Sequence, residues 1–334
     1  MMRLLNVGRA ALAGLALSGL TLGAVVPAQA AGEIIKIERQ KWSWSGMFGR
    51  FDAAQLQRGF QVYKENCAAC HTLNRVYYRN LTEPGGPQFD AERIQLLASE
   101  AQVRDGPNDD GEMFDRPARL SDRYVGPFKN EKEARAANNG AYPPDFSLII
   151  KARSAPQDHP WYIAPFFWAR DIATGYEEGG ADYMYALLTS YKEEPPAYTR
   201  SPDGKLIPVA KGAEIDDDKV ERCVKVVPGE VGDDGKRKPD TCNKLGEGMY
   251  YNASYPGHQI AMPAPLSKDV FVEYQNAKAS MAQNARDVTA FLAWASDPRL
   301  EERKQLGLSV MIYLLIMTIL LYFAKRAIWA RVKH

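Results

Sequence analysis

Histidine and cysteine are scarce in this chain of 334 residues, with four of each. Cys67, Cys70, Cys223 and Cys242 leave no second Cys/His pair at the spacing a zinc site wants. An excess of one charge sign is also lacking. Lys and Arg number 42 against 41 Asp and Glu, which does not suit nucleic acid. Charge is almost missing from two stretches. Residues 1–31 carry only Arg3 and Arg9, and Leu306 to Phe323 carry none.

Those two stretches define the ends. An apolar run from Ala10 to Val26 is followed by Ala28-Gln29-Ala30, the small-x-small pattern read by a signal peptidase. The run is short for a membrane anchor and the small-residue site is well formed, so residues 1–30 are expected to be a cleaved signal peptide. The eighteen residues from Leu306 to Phe323 would span about 27 Å as a helix, close to a bilayer's hydrocarbon thickness. A transmembrane anchor is expected over 305–324. A buried core helix would rarely end, as this stretch does, in a purely basic tail of Lys325, Arg326, Arg331 and Lys333. By the positive-inside rule the tail, 325–334, is cytoplasmic. Tyr322 and Trp329 suit an interfacial belt. Residues 31–304 then form an exported, periplasmic domain on a single-pass protein of the cell inner membrane. Setting aside Arg3, Arg9 and the four tail bases leaves 36 bases against 41 acids, so this body is mildly acidic and suits a basic protein partner.

Cys67-Ala68-Ala69-Cys70-His71 is the c-type haem attachment signature. Two thiols must add to two vinyl groups on one porphyrin edge, and two intervening residues on a helical turn set that separation. His71 is then placed to ligate the iron. A thioredoxin-like redox pair rarely carries His directly after it and needs a βαβ context. The signature ends a helix that Asp52 can cap, with Leu56, Phe60, Tyr63 and Cys67 on one face. Cys223 and Cys242 lie nineteen apart in a loop-like stretch rich in Asp, Gly, Lys and Pro. In an exported protein they most simply pair, for a gain of about 3 kcal/mol in the chain-entropy model. A regulatory thiol pair is the alternative.

The second axial ligand separates electron transfer from chemistry at an open iron site. The other exported histidines are His159 and His258, and the exported methionines are Met47, Met113, Met184, Met249, Met262 and Met281. Met262 precedes Pro263-Ala264-Pro265, whose prolines stiffen the chain. A methionine is as readily a core filler, so local sequence leaves both roles open. Met281, Ala285, Val288, Leu292 and Ala295 recur at helical spacing, as a helix packed across the haem helix needs.

The segment from Arg58 to His71 resembles the cytochrome c1 family. So do Asp105-Gly106-Pro107-Asn108-Asp109-Asp110-Gly111-Glu112-Met113-Phe114 with Arg116-Pro117, the stretch Ala134 to Asp145, the Met262 loop and Phe291-Leu292-Ala293-Trp294-Ala295. The blocks occur in family order across nearly the whole chain after the signal. The resemblance implies a mainly α, modified class I cytochrome c fold with insertions and one C-terminal transmembrane helix. It implies one covalently bound haem c with His71 and Met262 as axial ligands. It assigns Arg153 to a haem propionate, Tyr183 to the haem's neighbourhood, and Asn138 and Pro144 to the haem pocket. By their residue types alone, Arg153 could be an ordinary surface charge and Asn138-Asn139-Gly140 just a turn. The function implied is a one-electron carrier within a quinol:cytochrome c oxidoreductase, without catalytic residues of its own. The partners implied are cytochrome b, the Rieske iron–sulfur protein, a soluble or anchored c-type cytochrome acceptor and membrane lipid, in a dimeric complex.

Two regions depart from shorter family members. Residues 155–180 hold an aromatic insert with Trp161, Phe166, Phe167 and Trp168, either a partner contact or a cover for the core, with the second favoured. Residues 200–246 hold the second cysteine pair. Acidic groups at Asp109, Asp110 and Glu112, at Asp216 to Asp218, and at Asp233 and Asp234 are candidate docking charges or solvated faces. The rival readings are an anchored monohaem cytochrome serving an oxidase or reaction centre, a haem enzyme or sensor with an open iron site, and a haem-free anchor protein.

Overall fold

The computed structural model describes residues 35–153, 161–174, 179–210, 216–231, 237–268, 272–275 and 277–330. The expected signal peptide at 1–30, His159, Asp233, Asp234, Arg331 and Lys333 lie outside the described residues.

The fold is mostly helical. Helix α1 spans Ala53–Val62, and Asp52 caps it by accepting the Ala54 amide at 3.0 Å. Leu56, Phe60, Tyr63 and Cys67 are buried along the expected face. The helix widens before the cysteines, because Ala68 N reaches back five residues to Tyr63 O at 2.8 Å. Such π-type turns are frequent at functional sites. Helices α2 (Ala91–Ser99) and α3 (Glu131–Ala137) follow, separated by the antiparallel pair β1 (Gln102–Asp105) and β2 (Phe114–Pro117). A 3-10 turn at Phe146–Leu148 runs into the short helix α4 (Ile149–Ala152).

Helix α5 (Ala164–Thr174) carries the aromatic insert and α6 spans Gly180–Thr189. Phe166 is 71% exposed and Trp168 62%, so these two rings do not cover the core as expected. The stretch with the second cysteine pair was expected to be loop-like. It instead contains short strands: β3 (Ala197–Arg200) lies between β4 (Leu206–Pro208) and β5 (Val220–Arg222). Next, β6 (Lys225–Val227) pairs with β7 (Thr241–Asn243). The Cys223–Cys242 disulfide closes this insert, with Cα atoms 5.2 Å apart. A last hairpin, β8 (Tyr250–Tyr251) with β9 (Gln259–Ile260), precedes Met262.

Helix α7 (Met281–Ser296) crosses α1 and is capped by Ser280, which accepts the Gln283 amide at 3.1 Å. Ala285, Val288, Leu292 and Ala295 are buried as their spacing predicts, and Met281 is half-buried. The crossing is tight at Gly59, where a Cβ would lie 2.1 Å from Asp287 O. Arg58 on α1 holds the fully buried Asp287 carboxylate at 2.9 Å, and Gln55 and Gln283 donate to it as well. Phe291 meets Phe60 edge-on at 5.5 Å between ring centres. An aromatic core thus stands directly behind the haem-attachment segment. The chain ends in α8 (Leu300–Trp329), about 45 Å of continuous helix whose side chains from Met311 to Met317 are exposed. It contains the expected anchor and is long and apolar enough to cross a membrane.

Candidate functional site

The two thiols and the imidazole sit on one tight turn after α1. Cys70 N and His71 N both donate to Cys67 O, at 3.1 and 2.9 Å. Buried Tyr63 donates its hydroxyl to His71 O at 2.8 Å, which fixes the turn from beneath. Cys67 is buried and Cys70 exposed, and both are free thiols. Burial pushes the Cys67 thiol up to about 12.

The His71 ring is 7% exposed and stacks on Phe146, with centres 3.9 Å apart and planes 15° apart. Its Nδ1 lies 2.9 Å from Pro144 O. A carbonyl only accepts, so Nδ1 carries the proton and Nε2 presents its lone pair. Burial lowers the His71 pKa, against the opposing Pro144 hydrogen bond and Asp145 charge. The ring is therefore neutral near pH 7, the form that binds metal. Asp145 ties the second strand of this pocket to the first. Its carboxylate accepts from Thr72 Oγ1 at 2.7 Å, Asn74 N at 2.8 Å and Ser147 N at 2.9 Å.

Met262 is half-buried and packs on the core. The β8–β9 pairing sets its approach. Tyr191 then donates to Met262 O at 3.2 Å, and Asn66 Nδ2 donates to Pro265 O at 3.0 Å. Asn66 directly precedes Cys67, so the methionine loop is bonded to the haem-attachment segment itself. Asn252 locks the base of the loop by donating to Leu187 O at 2.8 Å. Neither Tyr191 nor Asn66 stands out in the sequence as a residue of the site. Their partners lie 71 and 199 residues away, and no local pattern signals such a contact.

The remaining expected residues divide. Pro144 contributes its carbonyl to His71. Arg153 is exposed just past α4, and its charge reaches Tyr183 on α6. Burial first, then Tyr255, pushes the Tyr183 phenol up to about 12, while Arg153 pulls the other way. Asn138 makes no hydrogen bond to His71, Cys67 or Met262 among those of the described residues. Its Nδ2 donates to Ala134 O at 2.7 Å and closes α3.

Two free thiols one turn apart, followed by a neutral imidazole whose Nε2 is unprotonated, fit one covalently bound haem c. Among the described residues, the clustered metal-ligating groups are Glu221, Cys223 and Cys242, and the two sulfurs there are spent in the disulfide. The Cytochrome C1 family profile matches residues 42–332. The chain is 40% identical over 324 residues to cytochrome b/c1 of Bradyrhizobium diazoefficiens, covering 97% of this chain and 40% of that longer protein. It is 36% identical over 322 residues to cytochrome c1 of Rhodospirillum rubrum, covering 95% of this chain and 96% of the relative. It is also 36% identical over 294 residues to the mitochondrial cytochrome b-c1 complex catalytic subunit of Candida albicans, covering 88% and 77% of the two chains. With matches of this extent over a haem-attachment turn of this geometry, the chain belongs to the cytochrome c1 family.

Proposed function

We propose that this chain takes single electrons from the Rieske iron–sulfur protein and passes them to a c-type cytochrome, through a low-spin haem c ligated by His71 and Met262. Cytochrome c1 is an electron-carrying subunit of the bc1 complex, an oxidoreductase. The observation that supports the finer reading is the commitment of His71 Nδ1 to Pro144 O, which leaves Nε2 as the nitrogen that would ligate the iron. Haem c supplies a reversible ferric/ferrous couple. The chain's residues fix how that couple is held. Cys67 and Cys70 would bond it covalently, and His71 would ligate one face of the iron. The loop bonded to Tyr191 and Asn66 would bring the Met262 thioether to the other. A thioether ligand raises the potential and closes the iron to small ligands. Exposed Arg153 suits a propionate, and Tyr183, Asn138 and Pro144 complete the pocket in this reading.

Orientation follows the flanking charge. Lys325 and Arg326 succeed the apolar run of α8, which supports a cytoplasmic C-terminus and a periplasmic haem domain over 31–304. The anchor is 305–324 and the basic tail 325–334. Cytochrome b is the neighbour of the anchor, and the complex is dimeric.

The test is made on the tagged full chain, extracted from native membranes in mild detergent with its partners. Addition of ubiquinol should reduce the covalent haem, and an inhibitor of the quinol-oxidation site should block it. Haem that stays oxidised, in a preparation without b haem or an iron–sulfur protein, would move the chain to an anchored cytochrome serving a different oxidase.

A further inference from the structure

The loop before α1 leaves two apolar side chains exposed at its tip. Trp42 and Trp44 are buried and stacked at 4.8 Å, and Phe51 stacks on Trp44 at 5.2 Å. Between these anchored rings the chain turns back on itself. Arg50 N donates to Ser43 O at 3.0 Å, and Gly49 N to Gly46 O at 3.3 Å. Gly46 has φ +80°, and a Cβ on Gly49 would sit 2.1 Å from Ser45 O, so both positions require glycine. The two residues left at the tip are Met47, 49% exposed, and Phe48, 79% exposed. They stay outside the aromatic cluster that lies beside them in sequence.

The first turns of α8 clamp this loop. Lys304 Nζ donates to Gly46 O at 2.7 Å and also to Trp44 O. Glu301 Oε1 accepts the Phe51 amide at 3.0 Å. Lys304 is two residues before Leu306, where the uncharged run begins, about 3 Å along the helix axis. The loop is therefore bonded to the helix at the level where the uncharged run begins. Exposed Lys41 and Arg50 flank the tip and suit anionic headgroups.

The geometry points to the Gly46–Gly49 loop as a second membrane contact, with Phe48 and Met47 inserted among lipid headgroups of the outer leaflet. The occupant is the bilayer surface, because the loop is continuous with the membrane-crossing helix and carries basic flanks around an apolar tip. It would fix the tilt of the haem domain on its single anchor. This inference rests on α8 crossing the membrane.

The test places the photo-crosslinker benzoylphenylalanine at residue 48 of the full chain in native membranes. Irradiation should add the mass of a phospholipid to the peptide that carries it. An adduct with another protein chain would overturn the inference and make the loop a subunit contact. The absence of any adduct would also overturn it. Alkaline carbonate washing separates its failure from failure of the anchor: a chain retained in the membrane without a lipid adduct loses the loop contact alone. Should covalent haem be lost with the probe at 48, the same probe at Met47 gives the same readout.

Discussion

The Nδ1 atom of His71 and the carbonyl oxygen of Pro144 lie 2.9 Å apart, across 73 residues of sequence. One hydrogen bond thereby sets the ring's tautomer and leaves its other nitrogen with a free lone pair. Asp145 holds this strand in place through Thr72, Asn74 and Ser147. Asp145→Ala removes all three acceptor contacts, of which the one to Ser147 N caps the 3-10 turn. It should cost about 1–3 kcal/mol in denaturant unfolding followed by haem absorbance.

The crossing of α1 and α7 should be the least tolerant place in the core. Arg58→Ala leaves the Asp287 carboxylate, 0% exposed, without its charge partner. A loss of about 3–5 kcal/mol is expected. Gly59→Ala should be as damaging for a steric reason, since the new methyl meets Asp287 O. Urea unfolding of the two variants measures both effects.

Tyr191→Phe deletes the donor to Met262 O and nothing else of the side chain's volume. Stability should fall by about 1 kcal/mol. The more telling readout is the iron. A looser methionine loop should let the reduced haem take up some carbon monoxide, which the wild type should exclude.

Cys223→Ser with Cys242→Ser opens a link between residues 19 apart. The unfolded chain regains freedom worth about 3 kcal/mol. Thermal unfolding should shift down while the haem stays covalently attached, because that attachment uses the other two cysteines.

Asp240 accepts from Gly229 N at 2.9 Å, Leu206 N at 3.0 Å and Arg237 Nη2 at 3.0 Å. These contacts, Gly229 first, hold its carboxyl at about 2, below its ordinary 3.8. A depressed pKa stabilises the fold above the unfolded value, and the effect is lost as pH falls through the folded one. The gap in urea midpoint between wild type and Asp240→Asn should therefore close between pH 4 and 2.

Several of these features are legible in the sequence. The Asp52 cap and the stripe Leu56, Phe60, Tyr63 and Cys67 announce α1, because a cap and an apolar face are local properties. The stripe through Val288 and Leu292 announces α7 for the same reason, and the uncharged run after Leu306 announces α8. The π-type turn at Tyr63 to Ala68 is not legible, since a stripe at helical spacing reads the same with or without it. The strands around Cys223 and Cys242 are three or four residues long and interrupted by turn residues, too short to show a period. The pocket's closing contacts are hidden for another reason. Pro144 acts through a backbone carbonyl, and Tyr191 and Asn66 act on backbone carbonyls far along the chain.

In the proposed function one haem is held between His71 and Met262. The measurement is the absorption spectrum of the purified oxidised protein, followed by carbon monoxide addition after reduction. The sulfur-to-iron charge-transfer band should be present, and the reduced haem should not take up carbon monoxide. Met262→Leu should abolish the band and open the iron, with both cysteine linkages intact. A wild-type protein that binds carbon monoxide readily, or a Met262→Leu variant that keeps the band, would contradict the account.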